Sequence, residues 1–265
     1  LSAYLSFFPT LTSKRSYVDL RLFRDRNFVT GIIFIFVVGV ILLATLALLT
    51  PFLQTMLGYP VMTAGMLLAP RGIGTMVAMM VVGRLVNRID PRWMVALGLV
   101  LTAVALWQMS QFNLEVTSRM LVISGILQGL GLGFLFVPLS TMTFATLPAE
   151  LRTSATALYS LSRNLGSSIG ISVVIYMLGQ YMGRAHASLA EYIQPFREPM
   201  QHLPALVDPA TTTGRALLDA MVTQQAGLLA YLADFQLMLV VALAALPLVL
   251  LMRRPNHAGT DEELS

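Results

Sequence analysis

From Phe28 to Pro70 the sequence carries no charged residue. About 20 apolar residues suffice to cross a hydrocarbon layer of roughly 30 Å, so this run holds one full span, a turn and half of a second. Gly58-Tyr59-Pro60 supplies the turn. The chain is therefore expected to enter a bilayer near Phe28 and return through it. Composition agrees, with 56% hydrophobic and 11% charged residues, where a soluble domain carries about 25% charged. We read an all-α integral membrane protein.

The first span is expected over Phe28 to Pro51 and the second over Thr63 to Gly83, with Thr63 as its N-cap. The second ends in a charged run, Gly83-Arg84-Leu85-Val86-Asn87-Arg88-Ile89-Asp90-Pro91-Arg92-Trp93. Its three arginines mark it as a cytoplasmic hairpin, because cationic loops are retained on that side. Four more spans follow: Trp93 to Gln111, Met120 to Leu147, Thr153 to Gly183 and Gly227 to Met252. The expected organisation is a cytoplasmic lead-in (1–27), a six-helix transmembrane domain (28–252) with one long outer loop (184–217), and a cytoplasmic tail (253–265). On this topology eleven of the 17 Lys and Arg lie inside and Arg119, Arg184, Arg197 and Arg215 lie outside. Both ends of the segment are then cytoplasmic and the protein is a multi-pass component of the cell (inner) membrane. The chain opens on Leu1, and Tyr4 to Pro9 lacks the features of a signal peptide, so a piece of something longer is expected.

Several function classes fall away. The cations sit at helix ends rather than clustered with aromatics on a soluble face, which argues against nucleic acid. Without cysteine there is no disulfide or thiolate chemistry. His186, His202 and His257 are placed in loops or the tail, at no metal-ligand spacing. No phosphate loop and no Ser/His/Asp arrangement can be placed on one face. We expect no enzyme activity, no metal and no cofactor.

What remains are polar residues inside spans and glycines. An ionisable group in a span costs at least about 2.5 kcal/mol on insertion scales, so it calls for a partner, a wet cavity or a function. Arg71 lies eight residues past Thr63, flanked by Pro70, Gly72 and Gly74, which loosen the helix and admit a close neighbour. Arg163 follows a stretch of small and hydroxyl-bearing residues suited to lining a cavity. Asp234, beside Gln236 at the outer end of the sixth span, reads either as a protonatable gate or as an interfacial acid. Gly125, Gly129 and Gly133 leave one face of the fourth span bare for a packing helix, and Pro138 interrupts its backbone ladder; Gly166 and Gly170 act likewise on the fifth. The 16 Met offer adaptable packing or a flexible apolar lining. If the six spans are two repeats of three, Arg71 and Arg163-Asn164 fall on corresponding middle helices.

The charged hairpin resembles the second-half copy of the loop motif of the major facilitator superfamily, with Asn87 where that motif usually has Asp. Leu53-Gln54, Leu57-Gly58-Tyr59-Pro60, Pro70-Arg71-Gly72, Gly129-Leu130-Gly131-Leu132-Gly133 with Pro138, Arg163-Asn164 and Asp234-Phe235 resemble the 14-helix drug:proton antiporters of EmrB/QacA type. The likeness runs from about Val18 to Pro255, as the last six spans. It implies half of a major facilitator fold, built of three-plus-three inverted repeats. It also implies export of lipophilic, often cationic compounds by alternating access, driven by the proton gradient without a cofactor.

On this resemblance Gln54, Arg71, Arg163, Asn164 and Asp234 are candidates for the transport path, and Gly83, Arg84, Asn87, Arg88 and Arg92 for a gating loop. The implied partners are the bilayer, lipophilic small molecules, an N-terminal half bearing the acidic proton site, and a periplasmic adaptor with an outer-membrane channel docking on the long outer loop. The alternative is a truncated or split membrane module that binds a partner half or an adaptor without transporting.

Overall fold

The computed structural model describes residues 20–86, 88–192 and 211–249. Within them the chain forms six helices long and apolar enough to cross a membrane. Helix α1, Arg26–Pro51, starts where the Asp25 carboxylate accepts the amides of Asn27 (2.8 Å) and Phe28 (3.2 Å), satisfying donors that a first turn leaves orphaned. It runs on through a widened turn, Phe52–Met56, directly after Pro51 takes one amide out of the ladder. Gly58 then closes the connection at φ 68°, a conformation that costs glycine nothing.

Helix α2, Val61–Leu85, begins immediately after Pro60. Thr63 is therefore inside the helix and not its N-cap: Pro60 already holds the backbone that delivers the first turn. Helix α3, Pro91–Met109, has Pro at its first position and is capped by Asp90, which accepts the Arg92 amide at 3.1 Å. Helix α4 spans Ser118–Phe144, with Pro138 inside it. A short turn, Ala149–Leu151, leads into α5, Arg152–Tyr192, and α6 is Thr212–Val249.

The last two helices depart most from the expected spans. At 1.5 Å per residue the 41 residues of α5 extend about 60 Å, twice the hydrocarbon thickness. Residues 184–192 and 212–217, expected in the long outer loop, are helical, and His186 lies on α5 rather than in a loop. The segment Ala185 to Tyr192 contains no Gly or Pro, so nothing stops the helix where hydropathy falls. His186 Nε2 meets Asp219 Oδ1 at 3.2 Å across the two extensions. The prolines of the expected loop, Pro195, Pro199, Pro204 and Pro209, lie outside the described residues.

Packing repeats with opposite sense in the two halves. Helix α2 lies along α4 as α5 lies along α1, while α3 and α6 pack on each other and against α4 and α1. Bare backbone makes both long contacts possible. Gly74 faces the main-chain oxygen of Ile126 on α4, and Gly170 faces Val40 on α1. Among lipid tails no hydrophobic force favours helix association, so such close approach is what holds a bundle together.

Two buried layers fill the middle. One, near the Gly58 turn, gathers Phe52, Phe112, Tyr231 and Phe235 with ring centroids 5.4–6.4 Å apart. The other, toward the arginine-rich end, contains Phe34, Ile35, Val95, Leu99, Leu135 and Leu139. Leu22, Phe28, Leu147 and Ala155 anchor the basic lead-in against the α4–α5 connection. The outward faces are apolar, as on Met66, Ile73 and Met80 of α2 and Leu165, Ile169 and Tyr176 of α5.

Candidate transport path

Arg71 is the best-defined polar feature in the membrane interior. It sits ten residues into α2, directly after Pro70, and only 8% of it is exposed. Its Nη2 donates to the main-chain oxygen of Leu42 on α1 at 3.2 Å, and its own carbonyl accepts the Thr75 hydroxyl at 3.0 Å. Nη1 is buried and has no partner. The backbone oxygen of Arg71 rests against Gly129 of α4, where a side chain would collide with it. A glycine on one helix thus brings the charged residue of another into the bundle.

Beside Arg71 a crevice of about 790 Å³ opens between α1 and α2 above α4, lined among others by Leu42, Leu46, Leu68, Thr75, Met76 and Phe136. Arg71 is the one charged residue on its wall. A pocket of that size with a few placed polar groups in an apolar wall is the form that small-molecule sites take.

Arg163 occupies the corresponding place on the other side of the bundle. Its main-chain oxygen rests against Gly39 of α1, as that of Arg71 does against Gly129. Around it the Ser162 and Ser167 hydroxyls donate to the carbonyls of Ile32 (3.1 Å) and Gly39 (3.2 Å). Arg163 itself is half-buried and Asn164 is exposed. The two arginines are therefore related by the repeat but do not share a cavity: one belongs to the α2–α4 contact and the other to the α1–α5 contact. Gln54 lies half-buried in the widened turn of α1.

Asp234 lies six turns inside α6, which starts at Thr212, and is fully buried within the bundle, with neither carboxylate oxygen partnered. Its neighbours in sequence, Tyr231 and Phe235, belong to the aromatic layer that closes on Phe52.

In the charged hairpin, Gly83, Arg84 and Arg88 are exposed, Arg92 is half-buried beside Trp93 and Leu246, and Asn87 lies outside the described residues. A Cβ added at the packing glycines Gly129, Gly133, Gly166 or Gly170 would collide with a neighbouring helix; at Gly125 it would meet only Arg71 Cβ, 3.9 Å away.

Two buried polar residues escaped the sequence reading. Gln128 of α4 is fully buried with neither amide atom partnered, and the Tyr159 hydroxyl of α5 is buried and unpartnered against Phe144. Gln128 was hidden by its setting, since the glycines around it read as packing alone. Unpaired buried polar atoms are rare in folded proteins and call for an explanation.

The described residues hold no group of three or more His, Asp or Glu placed to bind a metal. Separate buried polar groups in an apolar bundle suit binding and passage of a molecule. A family model described as the Major Facilitator Superfamily matches residues 31–189. The chain is 29% identical over 96% of its length to "Fatty acid resistance protein FarB" of Neisseria gonorrhoeae, covering 51% of that protein. It is 31% identical over 72% of its length to "Multidrug export protein EmrB" of Escherichia coli K12, covering 38%. It is 27% identical over 83% of its length to "Lincomycin resistance protein LmrB" of Bacillus subtilis, covering 44%. The chain thus spans about half the length, or less, of these relatives.

Proposed function

The chain belongs to the major facilitator superfamily, and from that premise we propose that it is the C-terminal six-helix half of a multidrug efflux permease. The activity is export of lipophilic, often cationic compounds in exchange for protons, with the two halves rocking about a central path. Arg71, Arg163, Asn164, Gln54 and Asp234 line that path, and the Gly83 to Arg92 hairpin controls its cytoplasmic end. Both ends of the segment face the cytoplasm and the membrane is the inner one. A partner N-terminal half supplies the acidic proton site, and a periplasmic adaptor with its outer channel docks at the far side.

The observation that carries this reading is the buried Arg71 on the wall of an apolar crevice. An intramembrane cation kept in such a place marks a substrate or ion route by default. Relatives named for multidrug export, lincomycin resistance and fatty acid resistance support the substrate class. The test is accumulation of ethidium in cells expressing this six-helix segment together with its N-terminal half. Accumulation should fall below that of cells without it, and recover when the proton gradient is collapsed. Equal accumulation of ethidium and of other lipophilic drugs in both cell lines would leave a non-transporting membrane module in its place.

A further inference from the structure

Where the charged hairpin enters α3, a cavity of about 260 Å³ opens between α3 and α6, walled by Asp90, Arg92, Trp93 and Ala96 on one side and by Leu246 and Val249 on the other. Arg92 is half-buried, and its Nε lies away from solvent with no hydrogen-bond partner. A buried donor left unmade is costly, most so on a charged group, and the acceptor that best relieves it is an anionic oxygen. Asp90, the one carboxylate on the wall, accepts the main-chain amide of Arg92 at 3.1 Å and so caps α3. Arg84 and Arg88, exposed on the same hairpin, leave the surroundings cationic.

Depth decides which anion fits. Helix α3 has 19 residues, about 28 Å at 1.5 Å per residue, and so just spans a hydrocarbon layer of roughly 30 Å. Arg92, its second residue, stands at the head-group level, and Ala96 lies about 6 Å deeper. Trp93, exposed beside them, occupies the level where amphipathic rings settle. Leu246 and Val249 complete an apolar floor. The cavity is therefore cationic at the membrane surface and apolar one turn below. A soluble anion would satisfy the first and leave the second wet, whereas a phospholipid fills both. Basic pockets between helices at this level suit lipid head groups. We infer that the cavity is a binding site for an anionic phospholipid of the leaflet on the hairpin side. Its phosphate takes the Nε edge of Arg92, its glycerol backbone lies against Trp93, and its acyl chain descends past Ala96 and Leu246. The site stands whether or not the protein exports drugs.

Quenching of Trp93 by phospholipids brominated on the upper acyl chain tests it. The protein is expressed with its N-terminal half, with Trp107 and any tryptophan of that half replaced by Phe, and reconstituted into phosphatidylcholine vesicles. Half-maximal quenching should need about fivefold less brominated phosphatidylglycerol than brominated phosphatidylcholine. Arg92→Gln should erase that preference, and Arg92→Lys should keep part of it. Ala96→Leu fills the cavity with Arg92 intact and should erase it as well. Arg84→Gln removes the same charge from the hairpin at a residue outside the cavity wall, and should leave the preference in place. Equal quenching by the two lipids overturns the site, as does a preference that survives Arg92→Gln or Ala96→Leu. A preference lost equally in Arg84→Gln and Arg92→Gln would belong to the net charge of the hairpin and also overturn it. Relief of quenching by inorganic phosphate would assign Arg92 to a soluble anion, with the same result.

Discussion

A methyl group added at Gly129 would run into the main-chain oxygen of Arg71. Helices α2 and α4 therefore touch backbone to backbone at the residue that carries the buried charge, and this contact sets where the guanidinium can reach. Across the bundle Gly39 and Arg163 stand in the same relation. Neither carbonyl can move aside without displacing its whole helix.

Gly129→Ala should thus destabilise the protein by about 1–3 kcal/mol, the usual cost of overpacking, and lower its thermal midpoint in detergent. Gly72→Ala, one residue beyond Arg71 on a face where an added Cβ meets nothing within 4 Å, should leave the midpoint unchanged or slightly raised. Equal midpoints for the two variants would mean that α2 and α4 are not in backbone contact.

Part of this arrangement was readable from residue order. The charge-free run from Phe28, the arginine hairpin and the four-residue glycine spacing on α4 each reflect a strong local constraint: desolvation of charge, exclusion of cations from the hydrocarbon and close helix approach. The outer ends of α5 and α6 were not readable in the same way. Hydropathy reports where a helix leaves the lipid, whereas only a breaker or a cap reports where it stops, and Ala185 to Tyr192 contains neither Gly nor Pro. The burial of Asp234 was not readable either, because it depends on what the other helices pack against that face of α6. The unpaired state of Gln128 depends on what the helices packed around it do not offer, which no local pattern encodes.

Arg71→Ala should abolish export while the protein still inserts and folds, since the side chain makes only one hydrogen bond to the rest of the bundle. Arg163→Ala should cost less. Its side chain is half-exposed, and the contact it makes with Gly39 is through the main chain, which alanine preserves. Efflux rates normalised to membrane-inserted protein check both variants; normal transport by Arg71→Ala would restrict that residue to a structural role.

The helical extension of α5 can be read directly because the sequence has no cysteine of its own. Single cysteines placed from Arg184 to Leu189 should react with a polar maleimide in a helical pattern. Arg184, Ala187 and Ser188 are exposed and should label fast, while Ala185, His186 and Leu189 are half-covered and should label slowly. Uniform labelling across the six positions would indicate an extended segment. The exposed pair between His186 and Asp219 should add little, under about 1 kcal/mol in a double-mutant cycle.

Asp234 presents the sharpest conflict between stability and chemistry. A fully buried carboxyl with both oxygens unpartnered beside an aromatic layer weakens the fold in the state described, by about 1–3 kcal/mol for each group left unsatisfied. Packing alone would be better served by an apolar side chain of similar size, so an acid that serves the proposed transport path should be dispensable for stability. Asp234→Asn and Asp234→Leu should accordingly melt at or above the temperature of the unmodified protein, with Leu the more stable of the two. Both should export at least about tenfold more slowly, which corresponds to about 1.4 kcal/mol on the transport barrier. Thermal unfolding and efflux measured on the same preparations decide the matter. A drop in melting temperature would show that Asp234 has a partner within the fold, and unchanged export would take it off the path.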